Sequence, residues 1–89
     1  MATLLKVIRG GQAVVEKAVE PENGSDFSLK ELQTMVGGCI EIVNLPSGKI
    51  MVVNEEGRLI GLPINSIATE LYGGLIVGNA LVCNKNQVL

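Results

Sequence analysis

Asn54, Glu55, Glu56, Arg58 and Asn65 fall within one twelve-residue stretch, together with two glycines and a proline, between two strongly apolar segments. Such side chains can hold a small ligand. A guanidinium clamps a phosphate, amides donate and accept, and a carboxylate can read ribose hydroxyls or base edges. Gly61-Leu62-Pro63-Ile64-Asn65 also leads into a predicted helix. The free amides and positive dipole end of its first turn would suit an anion. The plainer alternative is a capped helix whose Asn65 side chain is engaged at the cap. Tyr72 is the one residue whose ring could both stack on a base and donate a hydrogen bond, and a half-buried core tyrosine is its plainer reading. Asn54, Glu55, Arg58, Asn65 and Tyr72 are therefore the candidate ligand-binding residues.

Catalysis finds less support. The chain has no histidine, the side chain best suited to acid–base work near neutrality. Glu55 and Glu56 could supply a carboxylate, but neighbours in a turn ordinarily point apart into solvent. Ser47 and Ser66 have no evident base. Cys39 and Cys83 lack an electropositive setting that would lower a thiol pKa, and both are expected to be reduced and buried. With no CxxC and no histidine, no zinc or other metal site is expected. Gly37-Gly38 and Gly73-Gly74 follow predicted helices, whereas phosphate-cradling glycines precede them, so they are read as caps. The expectation is a non-enzyme without a cofactor.

The elements that position these residues follow from periodicity. Thr3 to Arg9 is a strand, Gly10-Gly11 a turn, and Gln12 to Glu20 a strand by alternation, with a short helix as its rival. Pro21 to Asp26 is read as a mobile loop. Ser28 and Glu31 form a capping box, and Leu29, Leu32, Met35 and Val36 give one apolar helical face closed by Gly37-Gly38. Cys39–Leu45 and Lys49–Asn54 make a hairpin about Pro46-Ser47-Gly48. In it Glu41 faces away from its apolar neighbours. Arg58-Leu59-Ile60 reads as a short third strand. Ser66 to Tyr72 is a second helix with Ile67 and Leu71 on one face. Leu75–Val77 and Ala80–Cys83 form the last extended region, and 84–89 a tail that frays or serves a partner. The order β-β-α-β-β-β-α-β predicts an α+β domain, with two short helices on one side of a small, mainly antiparallel sheet.

Eighty-nine residues allow one domain, spanning 1–89. Hydrophobic residues are 47% of the chain but aromatics only 2%, namely Phe27 and Tyr72, so the core must be aliphatic. A net charge of −2 with scattered lysines and arginines argues against a duplex nucleic-acid surface. No run reads as a signal peptide or reaches membrane-spanning length, so a cytoplasmic protein without membrane contact is expected. A chain this small and apolar is expected to self-associate as a homo-oligomer.

Four groups of residues resemble a known family: Leu32 with Val36-Gly37-Gly38, Asn54-Glu55 with Gly57, Gly61-Leu62-Pro63 with Asn65, and Val77-Gly78. From Leu29 to Val82, about two thirds of the chain, the sequence resembles the small phage and mobile-element proteins of domain-of-unknown-function family 3846. The N-terminal strand pair and the loop after it fit only loosely. The resemblance implies a phage or plasmid gene expressed in a bacterial cytoplasm, but no activity. By context and size, such a protein is expected to be an anti-defence sponge that sequesters a nucleotide signal of bacterial immunity, a cyclic nucleotide or an ADP-ribose derivative. The alternative is a protein-interaction module that inhibits a host protein by docking through its edge strands. An enzyme using Glu55 or Glu56 as base is a third, weaker reading.

Overall fold

Two antiparallel hairpins and one central strand make the sheet. The computed structural model describes residues 2–8 and 14–88. The turn expected at Gly10-Gly11 lies outside the described residues, as do Arg9, Gln12 and Ala13 at the ends of the strands it was to join. Strand β1 (Ala2–Val7) pairs with β2 (Val14–Val19), so the segment with rival helix and strand readings is a strand. Strand β3 (Ile40–Asn44) pairs with β4 (Ile50–Asn54) through the expected turn, where Gly48 takes φ +91°. Strand β5 (Ala80–Cys83) lies between β1 and β4 and is antiparallel to both, giving the order β2-β1-β5-β4-β3. Helices α1 (Leu29–Val36) and α2 (Ser66–Tyr72) complete an α+β fold of the expected class.

The helices lie on opposite faces, not on one side as expected. Alternate residues of the central strands divide between two cores. Leu4, Ile50, Val52, Leu81 and Cys83 meet Leu32 and Val36 of α1, with Phe27. Leu5, Met51, Val53 and Ala80 meet Ala68 of α2 and Ile76. Every residue of β4 is buried, because a sheet covered on both faces takes a continuous apolar run rather than an alternating one. The α2 face also differs from expectation: Ala68 is buried and Ile67 packs on the core, but Leu71 is exposed.

The third strand expected at Arg58–Ile60 does not form. The Asn54 side chain accepts the Glu56 amide at 2.8 Å and turns the chain at once. Ile60 N–H then donates to Glu56 O and Leu62 N–H to Gly57 O, so residues 55–61 coil into a compact turn. Leu75–Val77 is likewise no strand; Val77 makes only an isolated bridge to Ile64.

The two segments expected to be loose, 21–26 and 84–89, make hydrogen bonds with their surroundings over their described residues. In the 21–26 loop, Asn23 Oδ1 accepts from the Ser25 and Asp26 amides, and Glu22 N–H donates to Glu31. The tail forms a short 3-10 turn, η1 (Lys85–Gln87), and Phe27 N–H donates to Gln87 O at 2.7 Å.

Helix α1 begins with the expected capping box, Ser28 and Glu31 each accepting the other's amide. Those backbone hydrogen bonds, from Ser28 and then Glu22, hold the Glu31 carboxyl below its ordinary value of 4.5. The folded chain therefore binds this proton more weakly than the unfolded chain. Its stabilisation is complete above the ordinary value and is lost as pH falls through the lowered one. Glu31→Gln is thus expected to destabilise at neutral pH, and the gap from the parent should close on acidification. Urea unfolding at a series of pH values checks this; a pH-independent gap would contradict it.

Candidate functional site

The turn after β4 carries the polar stretch, and its geometry is fixed from below by buried asparagines and glycines. Asn54, the last residue of β4, is buried and donates its amide to Val36 O at the end of α1. It thereby joins the helix C-terminus to the start of the turn. Gly57 is buried under that turn: a Cβ there would lie 2.8 Å from Val77 Cγ2 and 3.4 Å from Asn54 O. Only a residue without a side chain lets the turn sit this low, which lifts Arg58 and Leu59 to the surface.

Asn65 is fully buried. Its Oδ1 accepts the Ala68 amide as the N-cap of α2, while its Nδ2 donates to Leu5 O and Gly78 O, both at 2.9 Å. The plainer of the two readings, a capped helix whose Asn65 side chain is engaged at the cap, is the one the structure shows. The side chain offered to a ligand is buried and engaged three times within the protein. Asn65 belongs to the frame and not to the lining. Asn79 plays a parallel part, accepting from Val7 N–H and donating to Met35 O. Among the described residues every buried side-chain polar atom has a hydrogen-bond partner.

Above this frame is a cavity of about 320 Å³ on the α2 face, near the small end of the range for ligand pockets. Four of the five sequence-derived candidates, Asn54, Glu55, Arg58 and Tyr72, line it, and Asn65 does not. The Asn54 amide is engaged with Val36 and Glu56, so Glu55, Arg58 and Tyr72 are the side chains left to meet a ligand. The Tyr72 ring is partly exposed and lies over Gly74, where a Cβ would come within 3.3 Å of it. Val43, Val53 and Ile76 form the apolar floor, and Leu59 and Leu75 stand exposed at the rim.

Glu41 also lines the cavity, and the sequence reading missed it. Its register partner is Val53, so it faces away from its neighbours Ile40 and Ile42, as expected, but shares the opposite sheet face with Val43 and Val53. Strand parity carried that signal; the α2 wall opposite, built from distant chain, did not show in the sequence. Glu56 is exposed and outside the lining.

A wider hollow of about 570 Å³ lies between Met35 and Val36 at the end of α1 and Leu62 and Pro63. No charged side chain lines it among the described residues, so it gives an anion no anchor. Cys83 is buried, and burial pushes its thiol pKa up, whereas Cys39 is exposed, contrary to expectation. Both thiols are free. Among the described residues no cluster of histidine, cysteine or acidic side chains could hold a metal ion, and no helix is long and apolar enough to cross a membrane.

The residues that carried the resemblance form one connected framework. Gly38 packs beside the Asn54 amide, Gly57 against Val77 and Leu62, and Gly78 against Leu62 while accepting from Asn65. Comparison with the curated proteins and with the solved structures found no match. The family described as Domain of unknown function (DUF3846) matches residues 4–87. That span includes the N-terminal strand pair that had fitted loosely. Reaching from β1 to η1, the match places the chain in the DUF3846 family, to which it belongs.

Proposed function

We propose that this protein captures a small nucleotide-derived molecule in the cavity between β3–β4, the 55–61 turn and α2, and does not turn it over. The observation that carries this reading is the convergence of Glu55, Arg58 and Tyr72 on one cavity large enough for a single nucleoside-sized ligand. Arg58 would take a phosphate, Tyr72 would stack on the base, and Glu55 would accept from ribose or base donors. Capture needs only this complementarity, and a chain without histidine has little else to offer acid–base chemistry. We further propose the setting the family resemblance suggested: a phage or mobile-element protein in a bacterial cytoplasm, lowering the level of a cyclic nucleotide or ADP-ribose signal of immunity. Exposed Leu59, Tyr72 and Leu75 border the cavity, and Ile60 adjoins them. This apolar rim supports a homo-oligomer in which a second copy closes the cavity.

Calorimetric titration with a panel of nucleotide signals tests the reading. Arg58 is exposed, so Arg58→Ala should keep its melting temperature and lose at least about tenfold in affinity, the effect of roughly 1.4 kcal/mol. Absence of heat with every member of the panel would end it.

The second reading, docking on a host protein, is favoured by β3. It is an edge strand with Ile42 exposed, and an extended peptide could add to it. A stoichiometric host protein recovered with the chain, and lost on Ile42→Lys, would favour this reading over the first.

A further inference from the structure

The geometry points to a ligand carrying no more than one negative charge, with Glu41 as the residue that excludes polyphosphates. This inference rests on the capture reading above and narrows its ligand class. The cavity is lined by two carboxylates, Glu41 and Glu55, against one guanidinium, Arg58. Its formal charge is therefore minus one. A single phosphate diester neutralises Arg58 and leaves the carboxylates free to accept from hydroxyl or amine donors. A diphosphate brings further negative charge beside two carboxylates, with no second cation among the described lining residues to meet it.

The rest of the site offers no compensation. The start of α2 is capped by Asn65, and residues 65–68 do not line the cavity, so no helix-start amide faces it. The floor is made of Val43, Val53 and Ile76, which strengthens charge repulsion where water is displaced. Glu41 is well placed to act as the filter. It sits at mid-strand on edge strand β3, its backbone held by the register with β4, on the same face as the Val43 and Val53 floor, whereas Glu55 lies in the turn after β4. Of the two ligand classes considered, the cyclic mononucleotide fits this charge pattern and the pyrophosphate of ADP-ribose does not. The volume of about 320 Å³ agrees, since it suits one nucleoside unit.

The test titrates the full chain with adenosine cyclic monophosphate, adenosine monophosphate and adenosine diphosphate at one moderate ionic strength. The expected order is cyclic ester first, with the diphosphate at least about tenfold weaker. Glu41→Gln keeps the side-chain shape and removes one negative charge, so it should narrow that gap severalfold while the melting temperature stays unchanged. Diphosphate binding as tight as the cyclic ester would overturn the inference and leave capture standing. So would a gap that neither Glu41→Gln nor Glu55→Gln moves. If Glu41→Gln fails to fold, the parent's order of affinities and its Glu55→Gln comparison decide alone. No binding by any of the three would overturn the capture reading together with the inference.

Discussion

Asn65→Ala is expected to remove about 3–5 kcal/mol of folding stability, the largest effect of any substitution around the site. The Asn65 side chain makes three hydrogen bonds, and none of their partners has an easy replacement. Losing the cap on Ala68 N–H costs about 1 kcal/mol. Losing the two donations leaves Leu5 O and Gly78 O without that donor in the interior, at about 1–2 kcal/mol each. Small domains hold about 5–15 kcal/mol in total, so the variant should melt lower by about 15 °C or more. Asn65→Asp separates the two roles. Aspartate caps helices as well as asparagine does, but it would aim a carboxylate at two carbonyls. It is therefore expected to be at least as damaging as alanine. Recovery of full stability by Asn65→Asp, read by urea denaturation, would mean that the cap alone matters.

Gly78→Ala should cost about 2–4 kcal/mol, from two causes that can be measured apart. Gly78 holds φ at +76°, where a residue with a Cβ is disfavoured by about 1–2 kcal/mol. Its Cβ would also lie 2.6 Å from Leu62 Cδ1 and 3.5 Å from Leu62 Cβ. Such overpacking typically adds about 1–3 kcal/mol, reduced by whatever room Leu62 finds to swing. Gly78 is held in place by its N–H donating to Pro63 O at 2.7 Å and by the Asn65 amide on its carbonyl, so the backbone has little freedom to relax. Adding Leu62→Ala should relieve the steric part and leave the backbone part of about 1–2 kcal/mol. Strictly additive losses in the double variant would show that the two side chains never meet.

How far the sequence revealed this molecule depended on the range of the interactions. The capping box at Ser28 and Glu31 spans four residues and is fully written in local chemistry, so α1 was legible to its ends. The β3–β4 hairpin was legible for the same reason. The placement of the helices was legible too, but was misread. Ile50-Met51-Val52-Val53 is continuously apolar, which signals a sheet buried on both faces. Arg58-Leu59-Ile60 resembled a strand by residue type, but Asn54 captures the Glu56 amide and the turn closes first. A side-chain hydrogen bond that competes with extended backbone leaves little trace in composition.

The site divides in the same way. Glu55 and Arg58, which line the cavity, share one short turn, and Tyr72 stood out as the one ring that can both stack and donate a hydrogen bond. Asn65 was singled out for a ligand, yet its partners Leu5 and Gly78 lie 60 and 13 residues away, a pairing that no local pattern discloses. Glu41 was missed because its place on the cavity depends on a wall supplied by α2 and the residues after it.

Native mass spectrometry of the intact protein tests the central claim most directly, since it reads retained ligand and subunit number together. The account predicts an oligomer carrying one ultraviolet-absorbing molecule of mononucleotide size per cavity, with that mass lost in Arg58→Ala and the subunit number kept. A chain that arrives bare, and stays bare after incubation with the nucleotide panel, would contradict it.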